Sequence, residues 1–265
     1  VCSCHNAPIS RRSVTLAALG WACGGLGEAD VEPAMALDLP ADAPRTVALT
    51  LDACGGGTDD RIIGTLIRLG VCATIFATEL WLHANPAPAA HLRDRPDLFL
   101  LQNHGARHLA PVLGRRSIWG VPAAATLDGI RQEVAGGATA LTAAGFPAPT
   151  WYRGATARYS PAAITLIESM GLRVAAFSRN ADAGASLPPA TVARRIAAAV
   201  SGDVIIAHVN QPHRPSGAGV AAGVAALHAA GTRFVTLNQQ PVAPLRCGAP
   251  PRQPRVAGVQ APGAS

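Results

Sequence analysis

The chain has 265 residues, 49% of them hydrophobic and 14% charged, with a formal charge of +6. This excludes an intrinsically disordered chain and leaves enough length for one substantial domain with a large core. All 22 basic residues are arginine and they form no run with interleaved aromatics, which argues against nucleic-acid binding; the positive charge suits at most a weak attraction to an acidic polymer.

In chain order, Ser10-Arg11-Arg12-Ser13-Val14-Thr15-Leu16 and the apolar run to Cys23 read as a twin-arginine-like export signal over residues 1–29, cleaved after Ala29. A frayed N-terminal helix is the alternative. The run is too short to span a bilayer in the mature chain, so an exported, periplasmic or extracellular protein is expected. Lipidation at Cys23 is a rival reading, but the bulky Trp21 fits it poorly. Residues 30–45, rich in Pro and Ala, read as a linker to a domain over 46–240. Without the signal three cysteines remain, Cys54, Cys72 and Cys247, and no stapled framework is expected.

From Thr46 onward, strands and helices alternate. Strands are expected at Thr46–Asp52, Val71–Thr78, Leu98–Asn103, Trp151–Arg153, Leu172–Ser178, Asp203–His208 and Arg233–Leu237. Helices are expected at Asp60–Leu69 (capped by Thr58 or Asp59), Leu127–Ala144, Pro161–Met170, Pro189–Val200 and Gly219–Ala230. Near-continuous apolar strands alternating with helices predict an α/β fold, an irregular or incomplete (β/α) barrel of about seven strands. The tail, 247–265, is rich in Pro and Gly and is expected to be disordered.

Asp52, His104, Arg153, Asp182 and His208 each follow an apolar run, at the strand ends where such barrels build active sites. His104 and His108 are four residues apart, so on one face of a helical turn they could share a metal ion; one capping and one exposed histidine is the alternative. Asp52 could bind metal, take a proton from water, or cap the Gly55-Gly56-Gly57 turn. Arg153 would be a partly buried cation with Asp52 as its obvious partner. His208 is suited to protonate a leaving amine, or is a satisfied core histidine.

In these motifs the chain resembles the polysaccharide deacetylase family (NodB-like, carbohydrate esterase family 4). T-F-D-D-G reads Thr50-Leu51-Asp52-Ala53-Cys54, H-[ST]-x-x-H reads His104-Gly105-Ala106-Arg107-His108, and R-x-P-[FYW] reads Arg153-Gly154-Ala155-Thr156. The Asp-bearing fourth motif falls at Ser178–Asp182, and L-x-H reads Ile206-Ala207-His208. The resemblance implies a NodB-like barrel and metal-assisted hydrolysis of an N-acetyl group on an extracytoplasmic glycan. It makes Asp52 the general base, His104 and His108 metal ligands, Arg153 and Asp182 catalytic partners, and His208 the general acid. The backbone N–H of Thr156 would stabilise the oxyanion, and Tyr152 and Thr156 would contact substrate; from its position after His208 alone, Asn210 could line the groove, a solvated loop residue being the alternative. The cofactor implied is a divalent metal, zinc first, with cobalt or nickel as alternatives; no protein partner is implied. The family's second Asp, a metal ligand, is Ala53 here, which leaves two histidines plus water or a recruited Asp59, Asp60, Cys54 or Asn103. A degenerate member that only binds glycan, or a hydrolase of another amide, are the alternative readings.

Overall fold

The computed structural model describes residues 29–247. The export signal, apart from Ala29, and the tail, apart from Cys247, lie outside the described residues. Among the described residues no helix is long and apolar enough to cross a membrane.

The architecture is an incomplete (β/α) barrel. Its strands are β1 (Thr46–Ala53), β2 (Ala73–Ala77), β3 (Phe99–Asn103), β7 (Trp151–Tyr152), β8 (Arg173–Val174), β9 (Arg179–Asn180), β10 (Val204–His208) and β11 (Arg233–Val235). They run in the order β8-β7-β3-β2-β1-β10-β9, with β11 beside the first half of β1, and every pairing is parallel. The outer layer contains α1 (Asp60–Leu69), α2 (Glu79–Ala84), α3 (Pro86–Arg93), α4 (Leu127–Ala143), α5 (Pro161–Ser169), α6 (Pro189–Ala197) and α7 (Ser216–Ala229). Helices α2 and α3 are additional to the expected set, as is a small sheet of β4 (Ala110–Leu113), β5 (Ser117–Ile118) and β6 (Val121–Ala125).

Strand β1 shows why the layers separate. Successive side chains alternate between faces. Val47, Leu49, Leu51 and Ala53 join the apolar cluster under the helices, whereas Ala48 joins a second cluster inside the barrel with Phe76, Trp151 and Phe177. Thr50 and Asp52 share the inward face and are buried. Helix α1 starts where Asp59 accepts from the Arg61 N–H, and stops at Gly70, whose φ of 64° is left-handed.

Three further features of the fold differ from the sequence expectation. The run 172–178 is not one strand: Ala175 N–H donates to Tyr152 on one edge, and Ser178 N–H donates to Val204 on the other. The chain therefore steps from one edge of the sheet to the other: only β8 lies within the run, and β9 begins after it, at Arg179. Residues 30–45 are not a free linker, because Val31, Ala34, Ala36 and Leu37 make β-bridges to the domain and Met35 and Leu37 are buried in the inner cluster. Cys54 and Cys72 are free thiols, in line with the expectation of no stapled framework, whereas Cys247 is disulfide-bonded, a crosslink that expectation did not include.

Candidate active site and metal centre

Asp52 and His208 are register partners on the adjacent strands β1 and β10, so both reach the same end of the barrel. Arg153, directly after β7, is fully buried beneath Asp52. Its Nη1 donates to Asp52 Oδ1 at 2.9 Å and to Thr50 Oγ1 at 2.9 Å; its Nη2 donates to the Ala176 carbonyl at 3.0 Å. The guanidinium also lies 4.3 Å from the centroid of the Phe76 ring. Burial alone would raise the Asp52 pKa, but Arg153, with His104 and His208, more than offsets this and holds the carboxyl below its ordinary value.

His208 has its own carboxylate. Asp182 Oδ1 lies 2.9 Å from His208 Nδ1, and Asp182 Oδ2 accepts the His208 backbone N–H at 2.7 Å. Desolvation would lower the imidazole pKa; the charge and hydrogen bond of Asp182 overcome it and hold the value well above the ordinary one. His208 is therefore oriented by Asp182 and held toward its charged form, its Nδ1 occupied by that carboxylate.

His104 and His108 are brought together, with ring centroids 5.1 Å apart, but not by a helical turn. They sit on the loop after β3, which turns through Gly105 at φ 90° and His108 at φ 60°. The expected helix fails because Glu133, from α4, holds the loop open. Its buried carboxylate accepts the N–H groups of Arg107 and Leu109 at 3.0 Å, and a Cβ at Gly105 would collide with it. His104 Nδ1 is 2.6 Å from the Arg153 carbonyl. A carbonyl only accepts, so in the neutral ring Nδ1 carries the hydrogen and Nε2 presents its lone pair.

That Nε2 lies 3.4 Å from Cys54 Sγ and 3.8 Å from Asp52 Oδ2. One donor atom each from Cys54, His104 and His108 lie within 4.8 Å of one another. Burial would raise the thiol pKa, but the charge and hydrogen bond of His104, with hydrogen bonds to His108 and His208, hold it well below the ordinary value. Asp52, Cys54, His104, His108, Thr156 and His208 all open onto one cavity of about 580 Å³.

The profile of the family described as "Polysaccharide deacetylase" matches residues 40–175, just over half of the chain. The chain belongs to the polysaccharide deacetylase family. Similar solved structures include a carbohydrate esterase family 4 pseudoenzyme from Bacillus anthracis (15% identity, TM-score 0.61), of whose length the chain spans 65% and which covers 74% of the chain. A family 4 carbohydrate esterase from Streptomyces lividans in complex with acetate matches at 17% identity and TM-score 0.58, covering 72% of this chain and 93% of that one. Peptidoglycan deacetylase PdaC from Bacillus subtilis matches at 19% identity and TM-score 0.59, covering 74% and 89%. At these identities the likeness establishes the fold. No curated protein sequence matches the chain.

Within this polysaccharide deacetylase barrel two expected substrate contacts are corrected. Tyr152 is fully buried in the cluster with Ile130, Val134 and Tyr159, because on β7 the neighbouring Trp151 takes the inward face. Asn210 is also buried, and its amide donates to the Gly55 carbonyl, so it fastens the glycine turn rather than lining the cavity. Thr156 does line the cavity, at φ 68° and with a buried Oγ1 that lacks a protein partner.

Sequence reasoning missed Glu133 and Trp119. Glu133 had a legible signal: an acid among Ile130, Val134, Gly137 and Leu141, the buried stripe of α4. Trp119, 71% exposed in the β5–β6 turn, borders the cavity; its two-residue strand gives no periodicity to read.

Proposed function

We propose that the chain is an exported, metal-dependent deacetylase that hydrolyses N-acetyl groups on an extracytoplasmic polysaccharide. One observation carries this reading: two ion pairs of opposite purpose, Asp52–Arg153 and His208–Asp182, flank a cluster of metal-ligand side chains in one cavity. The donor set fits a divalent cation, since His104 is fixed in the tautomer that leaves Nε2 free. A cation held by His104 and His108 would supply Lewis-acid polarisation of the acetyl carbonyl and lower the pKa of water.

The protein groups then divide the proton work. Asp52, kept ionised and aimed by Arg153, takes the proton from the attacking water. Thr156 lines the cavity, and its backbone N–H is assigned to the developing oxyanion. His208, kept protonated by Asp182, delivers a proton to the departing amine. Cleavage of the C–N bond leaves acetate and a free amine.

The test is acetate release from N-acetylated glycan oligomers. It is expected to stop with a chelator, to return with zinc, and to be lost in Asp52→Asn. Undiminished release from metal-free His104→Ala protein would refute the reading. Ala53, where the family motif carries a metal-binding Asp, favours one rival: a glycan-binding member without catalysis. Saturable glycan binding with no acetate at any metal loading would select it.

A further inference from the structure

We propose that Cys54 is the third protein ligand of the metal, giving a Cys-His-His centre in place of a carboxylate one. The proposal rests on the metal-site reading above and deepens it. Ala53, at the family's ligand position, is fully buried in the apolar cluster under the helices and faces away from the cavity. Strand alternation puts Thr50 and Asp52 on the opposite face, and Cys54 follows directly after β1, in the cavity lining. The Cys54 thiol therefore arrives where the carboxylate is missing, next to His104 Nε2 at 3.4 Å.

The backbone here is fastened before any metal arrives. Thr78 Oγ1 donates to the Cys54 carbonyl at 2.6 Å, and Asn210 holds the next carbonyl, that of Gly55. Zinc bond lengths to sulfur and nitrogen place tetrahedral ligand atoms roughly 3.4–3.6 Å apart. Donor atoms already within 4.8 Å of one another need only small side-chain rotations to reach that. Three protein ligands leave the fourth position open, as a catalytic site requires.

Several nearby carboxylates are engaged elsewhere. Asp52 Oδ1 is held by Arg153, and its Oδ2, 3.8 Å from His104 Nε2, is reserved in this reading for the base; Asp59 caps α1 and pairs with Arg61 at 2.6 Å, Asp182 is taken by His208, and Glu133 holds the histidine loop. Asn103 is not free either: its amide donates to the Val134 carbonyl and its Oδ1 accepts the Gly105 N–H. A thiolate preserves the single negative charge that a carboxylate would bring, but it is a softer donor. The centre should therefore select zinc and cobalt over magnesium, manganese and calcium.

The experiment loads full-length protein with cobalt(II) and reads the optical spectrum beside the metal content. The expected result is a near-ultraviolet thiolate-to-cobalt charge-transfer band in the unmodified chain. In Cys54→Ser and Cys54→Asp the band should vanish while the visible bands of bound cobalt persist, with affinity in Cys54→Ser lower by roughly a hundredfold or more. Bound zinc should also protect Cys54 from alkylation by iodoacetamide, read by mass spectrometry. Stoichiometric cobalt without the band, unchanged affinity in Cys54→Ser, or no metal binding at all would overturn the proposal. Metal-dependent acetate release without the band would sink this proposal alone; a thiolate band without acetate release would sink the deacetylase reading alone.

Discussion

Replacing Arg153 with Met tests whether the buried pair under the cavity organises the site. The side chain of Arg153 is completely buried and Asp52 is 4% exposed, so solvent cannot take over the lost partner. Arg153→Met removes the countercharge 2.9 Å from Asp52 and the donors to Thr50 Oγ1 and the Ala176 carbonyl. Leaving one member of a buried ion pair unpartnered costs roughly 3–5 kcal/mol. For a domain of this size that corresponds to a fall in Tm of roughly 6–20 °C. Asp52→Asn keeps an acceptor for Arg153 and should cost less. The double variant buries no unpaired charge, so its loss should fall short of the sum of the single losses by more than about 1.5 kcal/mol. The assay is urea unfolding of the three variants at neutral pH in chelator. The sign with pH follows from Asp52: its pKa is depressed in the fold, so its contribution is present above the unfolded value and is lost as pH falls through the folded one. Additive losses, or an Arg153→Met protein within about 1 kcal/mol of the parent, would refute the reasoning.

Asp182→Asn should move the alkaline limb of the pH–rate profile toward lower pH, because the carboxylate is what holds the His208 pKa up. The pair's contribution to stability is fully present below the unfolded histidine value and lost as pH rises through the folded one, so the variant's deficit in thermal unfolding should shrink in alkaline buffer; an unmoved limb counts against the assignment. Glu133→Leu touches no proposed ligand yet frees the loop N–H groups of Arg107 and Leu109, and zinc titration calorimetry should find affinity reduced by about 10–100-fold. Parental affinity would mean that Glu133 does not order the histidines. Ala53→Asp restores the family residue but places a carboxylate under the helices; it should destabilise by several kcal/mol in denaturant titrations and should not rescue cobalt binding in a Cys54→Ala background. Rescue would show that position 53 reaches the metal.

Much of this was legible in the sequence because parallel strands buried on both faces are written as continuous apolar runs. Val47 to Leu51 and Val204 to Ala207 are such runs, and the polar residue ending each, Asp52 and His208, falls at the cavity. The Asp52–Arg153 pair was legible for a similar reason: a lone cation after an apolar strand needs a carboxylate. What failed was structure set by partners distant in sequence. The His104–His108 spacing fits a helical turn, and only Glu133, arriving from α4, makes it a loop. Val174–Phe177 is a continuous apolar run, and nothing local reveals that the pairing switches from Tyr152 to Val204 across it. Tyr152 could have been read better: with Trp151 inward, alternation turns its neighbour toward the helices.

Arg153 fixes the separation of the proposed base, Asp52, and the proposed ligand His104. Its backbone N–H donates to the Asn103 carbonyl at 2.9 Å, which ties β7 to the end of β3 just before the histidine loop. Its carbonyl accepts His104 Nδ1, and its guanidinium holds Asp52. One residue thus orients the proposed ligand His104 through its main chain and the proposed base Asp52 through its side chain. A side-chain substitution should separate the two effects: Arg153→Met keeps both backbone links, so metal affinity should stay within about tenfold of the parent while the base loses its orientation. Substituting the ligand His104 should do the reverse, abolishing metal binding while leaving the Asp52–Arg153 hydrogen bond in place. If Arg153→Met released the metal as completely as His104→Ala, the backbone link would not be what holds His104, and the division of labour within Arg153 would be wrong.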